Sequence, residues 1–454
     1  MGFISDEYLL ETDAARDLYQ AIEGLPIVDP HTHADVTEIV ENEGWNDIWE
    51  VEGATDHYVW ALMRNRGVDE ELITGSASNR KKWNALTEVF PDFAGNPTYE
   101  WIHLDLKRRF GIDELISSET ADDIWEETST QLETSEMRPQ AVLEEMNVEV
   151  ICSTDDPTSS LHYHERAADE VSGVEILPTW RIDRAMTITQ PDWNGFVDEL
   201  NQATGIDTTD LKGFLDALAA THDYFANRGC VASDLGIQEP VSRSVKTARA
   251  REIYRKAFEG GSLDEQEVTD FQAYLLEYAG ELNAEKGWVT QLHIGPVRNY
   301  RQALYDRLGP AAGGDVSTQR LDVAENLEYF LNRFDGDLEV VLYSLDPTHY
   351  PTLATLSRVF PNVSVGPAWW FNDSPYGIEE QLEYTGTVGL IANYAGMVSD
   401  SRKLLSYGSR FEMFRRSLAN VVGRQLGRGQ IPKGPAYDLI EHIAYDRPKE
   451  LFGI

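Results

Sequence analysis

Short apolar runs alternate with amphipathic stretches along most of this chain. Eight of the runs end in polar or small residues, at about 25–31, 148–154, 174–181, 228–233, 287–294, 338–345, 363–369 and 389–399. Runs this short, bounded by turn residues, read as strands. Several are apolar throughout, as strands covered on both faces must be. The stretches between them, such as FLDALAATHDYFA (214–226) and EQEVTDFQAYLLEYAGELNAEKG (265–287), are helical in pattern. Eight strand–helix units predict a parallel α/β sheet closed into a (β/α)8 TIM barrel. No Gly-rich phosphate turn follows the first run, which argues against a doubly wound open sheet.

One interval breaks the alternation. Residues 34–147 carry no strand-like run and read as helices, including HYVWALMRNRG (57–67) and ADDIWEETSTQLE (121–133). The organisation expected is a barrel from 1–33 and 148–454, with 34–147 as a helical insertion folding over its mouth.

Charge narrows the function. Asp and Glu number 78 against 38 Lys and Arg, a net −40, and only ten of the 38 bases are Lys. The acids are dispersed, so they form a solvated shell rather than an interaction tail. Such a field opposes nucleic acid and anionic membranes. An acid-rich, Lys-poor surface is similar to those of proteins from salt-loving organisms, where salt screens self-repulsion. Cys152 and Cys230 sit in strand-like runs and are expected as buried free thiols. The charged start lacks the apolar core of a signal peptide, and no run approaches a membrane span, so a cytoplasmic protein is expected. A homo-oligomer is compatible with this composition.

Candidate chemistry lies at the strand ends. In a barrel of this kind the C-terminal ends of the strands face the active site. The first run ends in Asp29-Pro30-His31-Thr32-His33, and residues two apart in extended chain point to one side. Two imidazoles make a good divalent-metal pair but need a third ligand. The fifth run ends in His293 and the eighth in Asp400, so three strand ends would converge. The sixth run has no His, and His349 follows it too far into the loop, which disfavours a binuclear hydrolytic site. Thr154, Asp155 and Asp156 are expected to cap the helix after the second run. His103, His162, His164, His222 and His442 lie in helix-like stretches and receive no role.

His-x-His on strand 1, His on strand 5 and Asp on strand 8 resemble the amidohydrolase superfamily. The stretches DHYVWALMR (56–64), AGNPTYEWIHLDLKRRFGI (94–112), CSTDDP (152–157), WRIDRA (180–185), QLHIGPVRN (291–299), AWWFND (368–373), GMVSDSRKLLSY (396–407) and RFEMFRRSL (410–418) together resemble uronate isomerase. The resemblance runs nearly end to end. It implies an amidohydrolase-type barrel interconverting D-glucuronate with D-fructuronate and D-galacturonate with D-tagaturonate. By resemblance, His31, His33 and Asp400 hold a divalent metal, usually zinc, and His57, Tyr58, Arg181, His293, Arg402 and Arg410 are pocket positions. Asp400, Tyr58, His57 and His293 are the candidate catalytic groups. Arg181, Arg402, Arg410 and Trp369 would meet substrate, the arginines because a planar fork matches a carboxylate. Three positions depart from the family: Phe411 and Leu235 replace the usual His, and Ala61 the usual Arg. The alternative reading is a metal-dependent hydrolase on the same barrel.

Aldose–ketose isomerisation moves a proton between C2 and C1 through an enediol, which needs a base and an electrophile. Asp400 can be that base, or it can hold the metal while Tyr58 or His57 handles protons.

Overall fold

The computed structural model describes residues 3–317 and 321–454. Ten β-segments follow one another: β1 (Ile27–Asp29), β2 (Val148–Cys152), β3 (Glu175–Leu177), β4 (Trp180–Arg181), β5 (Ala232–Ile237), β6 (Val289–Ile294), β7 (Pro296–Val297), β8 (Val316–Ser317), β9 (Val340–Ser344) and β10 (Val363–Val365). Apart from the antiparallel pair β7–β8, they run parallel in two sheets, ordered β1-β2-β3 and β10-β9-β6-β5-β4. β6 and β9 are buried along their whole length. β9 is mostly apolar, as a doubly covered strand requires, whereas β6 also buries Thr290, Gln291 and His293, polar groups that must find partners inside. Helices such as Leu211–Ala226 and Glu265–Lys286 connect the parallel strands.

Seven of the eight predicted runs contain strand, with three differences. The third run splits, because Pro178 has no N–H to give a ladder. Residues before it pair with β2, and Trp180–Arg181 pairs with β5. Asp155 spans the break, donating to Thr179 O and accepting from Arg181 N. The fourth run starts later than expected, at Ala232, because Gly229 (φ 80°) is still turning out of the preceding helix. The eighth run, 389–399, forms no regular strand. A 3-10 turn takes Ile391–Asn393, and a single parallel bridge joins Tyr394 to Val365. The chain then reaches β10 through Ala395 N to Val365 O (2.9 Å). It reaches the end of β1 through Asp400 N to His31 O (3.3 Å) and His33 N to Ser401 O (3.0 Å).

Residues 34–147 contain only helices and turns, among them His57–Asn65, Asn79–Val89, Pro97–Asp105 and Ala121–Leu132. The long helix Ser406–Gly427 is buried along most of its length and packs on Asp13–Ile22. A Cβ at Gly423 would lie 2.7 Å from the Ala15 Cα, so the two backbones touch only because that position is glycine. Both cysteines are buried and free. No helix among the described residues is long and apolar enough to cross a membrane.

Candidate active site

The site begins with a buried acid. Asp29 ends β1, and burial pushes its carboxyl up to about 7, against hydrogen bonds from Ser399. Its Oδ1 accepts from Ser399 N at 3.0 Å. That bond holds the 399–401 segment against the first strand. Thr32 adds a second tie, from its hydroxyl to Ser401 O at 2.8 Å.

Asp400 consequently faces the histidine pair. Its Oδ1 lies 3.3 Å from His31 Nε2 and 3.2 Å from His33 Nε2. Its backbone is left-handed, φ 47°, a conformation costly for a non-glycine and sustained here by its surroundings. Burial disfavours its charge, yet bonds from His31 and His33 hold its carboxyl well below the usual range, so it is ionised. Trp369, expected to meet substrate, donates its indole N–H to Asp400 Oδ2 at 2.7 Å and packs on His293.

A second constellation lies deeper, around Asp234, which the sequence reading missed. β4–β5 register sets Arg181 opposite Asp234, and the guanidinium meets that carboxylate at 2.7 Å. Arg181 also pairs with Asp183 at 2.8 Å. Asp234 Oδ1 is 2.6 Å from His293 Nδ1, and Oδ2 is 4.0 Å from His31 Nδ1. Burial opposes the charge of Asp234, but Arg181, His31 and His293 outweigh it and lower its pKa. Burial pushes His293 down to about 4, and its ring stacks on Tyr343, its register partner, at 4.1 Å. For His31, burial is overcome by Asp234 and Asp400, which raise its pKa. The signal for Asp234 was a charged residue inside a strand of otherwise apolar and small residues, where an acid requires a partner.

The helical segment supplies the remaining wall. Asp56 caps the helix His57–Asn65, accepting from Tyr58 N at 2.8 Å and Val59 N at 3.4 Å. His57 and Tyr58 thereby line one small cavity with Asp400, Arg402, Lys403 and Arg410. Burial, with Arg402 adding to it, pushes His57 down to about 4, so it is neutral at ordinary pH. Burial raises Tyr58 above the usual phenol range, and its hydroxyl has no hydrogen-bond partner among the described residues. A 160 Å³ cavity lies beside the same two residues, bordered by Ala61 and Trp370.

The arginines divide. Arg402 makes no side-chain ion pair among the described residues and borders the His57 cavity. Arg410 is buried, donates to Asp373 (2.7 Å) and Ser399 O (3.0 Å), and lies over the Tyr58 and Trp101 rings. Arg181 is committed to Asp234 and Asp183. Phe411 and Leu235 are both buried. Contrary to expectation, Asp155 and Asp156 do not cap the next helix. That helix starts at His162, while Asp156 closes a turn through Thr158 N (2.9 Å) and Asp155 accepts from Ser153 Oγ (2.7 Å).

Among the described residues two donor sets could hold a metal, and they share His31: His31, His33 and Asp400, or His31, Asp234 and His293. The second is wholly buried and its carboxylate is already neutralised by Arg181. The first has a half-buried His33 at its edge, and Asp400 borders the cavity. Three N/O donors with an accessible side fit a catalytic divalent ion.

The chain matches the glucuronate isomerase family model over residues 1–452. It is 56% identical to uronate isomerases of Thermotoga neapolitana and Thermotoga maritima over 99% of both chains, and 36% identical to that of Oceanobacillus iheyensis over 96% of this chain and 94% of that one. The crystal structure of the Thermotoga maritima uronate isomerase superposes with a TM-score of 0.98 over 100% of both chains, at 56% identity. The Caulobacter crescentus glucuronate isomerase superposes with 0.96 over 99% of this chain and 97% of that one, at 25% identity.

Proposed function

Because the chain belongs to the glucuronate isomerase family and is an aldose–ketose isomerase acting on uronates, we propose that it works in the pocket bounded by Asp400, Arg402, His57 and Tyr58. The observation carrying this reading is that the left-handed Asp400 joins the His31–His33 pair while its neighbour Arg402 stays unpaired beside His57. On this reading the parallel strands form one closed eight-unit barrel, with segment 389–401 as the irregular eighth member bonded to β10 and β1.

The substrate carries a carboxylate, and a protein of net charge −40 repels it. Arg402 answers that repulsion locally, its guanidinium free of side-chain ion pairs among the described residues. Asp400, with both oxygens engaged and a depressed pKa, is a poor proton acceptor. Its role is to hold a divalent metal, zinc by the donor set, together with His31 and His33. When bound, such an ion would polarise the substrate carbonyl and lower the cost of the enediol. His57, neutral above about pH 4, takes the C2 proton and returns it to C1. Tyr58 stays protonated and donates to the oxygen on which charge develops. His293 and Arg181 brace Asp234, which fixes the inner face of His31.

Both D-glucuronate and D-galacturonate are proposed substrates. Incubation with each in D₂O, followed by NMR, is expected to give the ketose with exchange at the transferred carbon. No ketose and no exchange from either uronate would overturn the reading.

A further inference from the structure

A buried cation borders the same small cavity and has no role assigned so far. Lys403 is 5% exposed, and its Nζ sits 2.9 Å from Glu52 Oε2 and 3.1 Å from Asp56 Oδ2. Both partners come from the helical segment, whereas Lys403 follows Asp400 by three residues. Asp56 divides its carboxylate: Oδ1 caps the backbone of Tyr58 and Val59, and Oδ2 faces Lys403.

Burying such charges is expensive, and replacing buried ion clusters by apolar residues of similar volume often leaves a protein as stable or more so. What the ion cluster supplies is registry. Asp56 sets the first turn of the helix that carries His57 and Tyr58, and Lys403 ties it to the strand end that carries Asp400 and Arg402. We propose that Lys403 is a positioning residue for the isomerisation, holding His57 and Tyr58 in place over Asp400 and Arg402 through its ion pair with Asp56. This rests on the reading that His57 and Tyr58 meet the substrate.

The test separates geometry from stability. Asp56→Asn keeps a capping oxygen but removes the charge that faces Lys403. Lys403→Met combined with Glu52→Gln removes the cation without leaving Glu52 charged and unpaired; Glu52→Gln alone is its baseline. Displacement of a positioned group by about 1 Å costs up to ~100-fold in rate. Asp56→Asn relative to wild type, and Lys403→Met/Glu52→Gln relative to Glu52→Gln, are therefore each expected to lose about 10- to 100-fold in kcat with KM within about threefold, below a Tm measured for each by circular dichroism. Combining them is expected to cost no more than the worse variant alone, since both break one link.

Wild-type kcat in the folded Lys403→Met/Glu52→Gln variant overturns the proposal, and so do losses that multiply. If that variant does not fold, Asp56→Asn decides alone, and unchanged kcat there overturns it. Tyr58→Phe is the control. If its kcat is normal, the reading of the pocket fails; if it is impaired while Asp56→Asn is not, only the role of Lys403 fails.

Discussion

The Trp369 indole donates to Asp400 Oδ2 at 2.7 Å, on the oxygen opposite the one that faces His31 and His33. The carboxylate is thus gripped at both oxygens before any ligand arrives. A group held that way offers fixed direction and fixed charge, and little basicity.

Two substitutions separate direction from charge. Asp400→Asn removes the charge that pairs with the histidines and is expected to lower kcat by about 10³-fold or more. Trp369→Phe preserves the ring and removes one N–H, a bond to a charged acceptor worth about 1.5–3 kcal/mol. It is expected to cost roughly 10- to 100-fold in kcat. Steady-state rates on D-glucuronate measure both, and an undiminished Trp369→Phe would show that the indole does not hold Asp400.

Arg402 and Arg410 are expected to fail differently. Arg402→Met removes an unpaired cation from the pocket edge, so KM is expected to rise about 10- to 100-fold with Tm nearly unchanged. Arg410→Met leaves Asp373 buried without its cation, at about 3–5 kcal/mol of stability. KM and thermal melts on the two variants are the check. A raised KM in a fully stable Arg410→Met would move that residue into the substrate site.

The first donor pair was legible because it is local: His31 and His33 lie two apart at a strand end, where orientation follows from the pleat. Asp400 was legible by its place at the end of the last unit, although that unit does not form a ladder. An apolar run such as 389–399 cannot announce that Gly396 (φ 93°) and Asp400 (φ 47°) will bend it out of register. Asp234 and Lys403 escaped because their meaning lies in partners distant in the chain: Arg181 and His293 for one, Glu52 and Asp56 for the other. Nothing local in ASDLGI or SRKLL states which charge each will meet. The split of the third run at Pro178 could have been read, since proline cannot donate to a ladder.

Metal occupancy is expected to stabilise the fold as well as support the rate. An ion that binds only the folded state raises stability by RT ln(1 + [M]/Kd), about 2.7 kcal/mol at a hundredfold excess over Kd. Chelator treatment is expected to lower both Tm and kcat, and added zinc to restore them. In His33→Asn the Tm response to zinc is expected to vanish. A Tm indifferent to zinc in the wild-type protein would argue against the His31–His33–Asp400 site.

The acidic shell implies a salt response. At a net charge of −40, self-repulsion opposes compactness, and its range shrinks from about 10 Å at 0.1 M to about 3 Å at 1 M salt. The unfolding midpoint is expected to rise between 0.1 M and 2 M NaCl. Equal midpoints would show that dispersed ion pairs already offset the repulsion.

His222 gives a pH dependence whose sign is fixed by its packing. Its ring lies 3.8 Å from that of Trp288, and its Nε2 is 3.0 Å from Asn283 Oδ1. Asn283 spends its amide hydrogens on Ser233 Oγ and Thr290 Oγ1, so its oxygen accepts and the imidazole donates. Burial pushes His222 down to about 4, from the 6.5 ordinary for an unfolded chain. Between these values the unfolded state takes a proton that the folded state refuses. Stability is therefore lost as pH falls from 6.5 towards 4, by on the order of 3 kcal/mol for this residue. His57, His103 and His293 are depressed to about 4 as well and act in the same direction. His222→Gln stays neutral throughout, so its urea-unfolding free energy is expected to fall less than wild type between pH 7.5 and 4.5. An identical fall in both proteins would mean that His222 takes its proton as readily in the fold as in the unfolded chain.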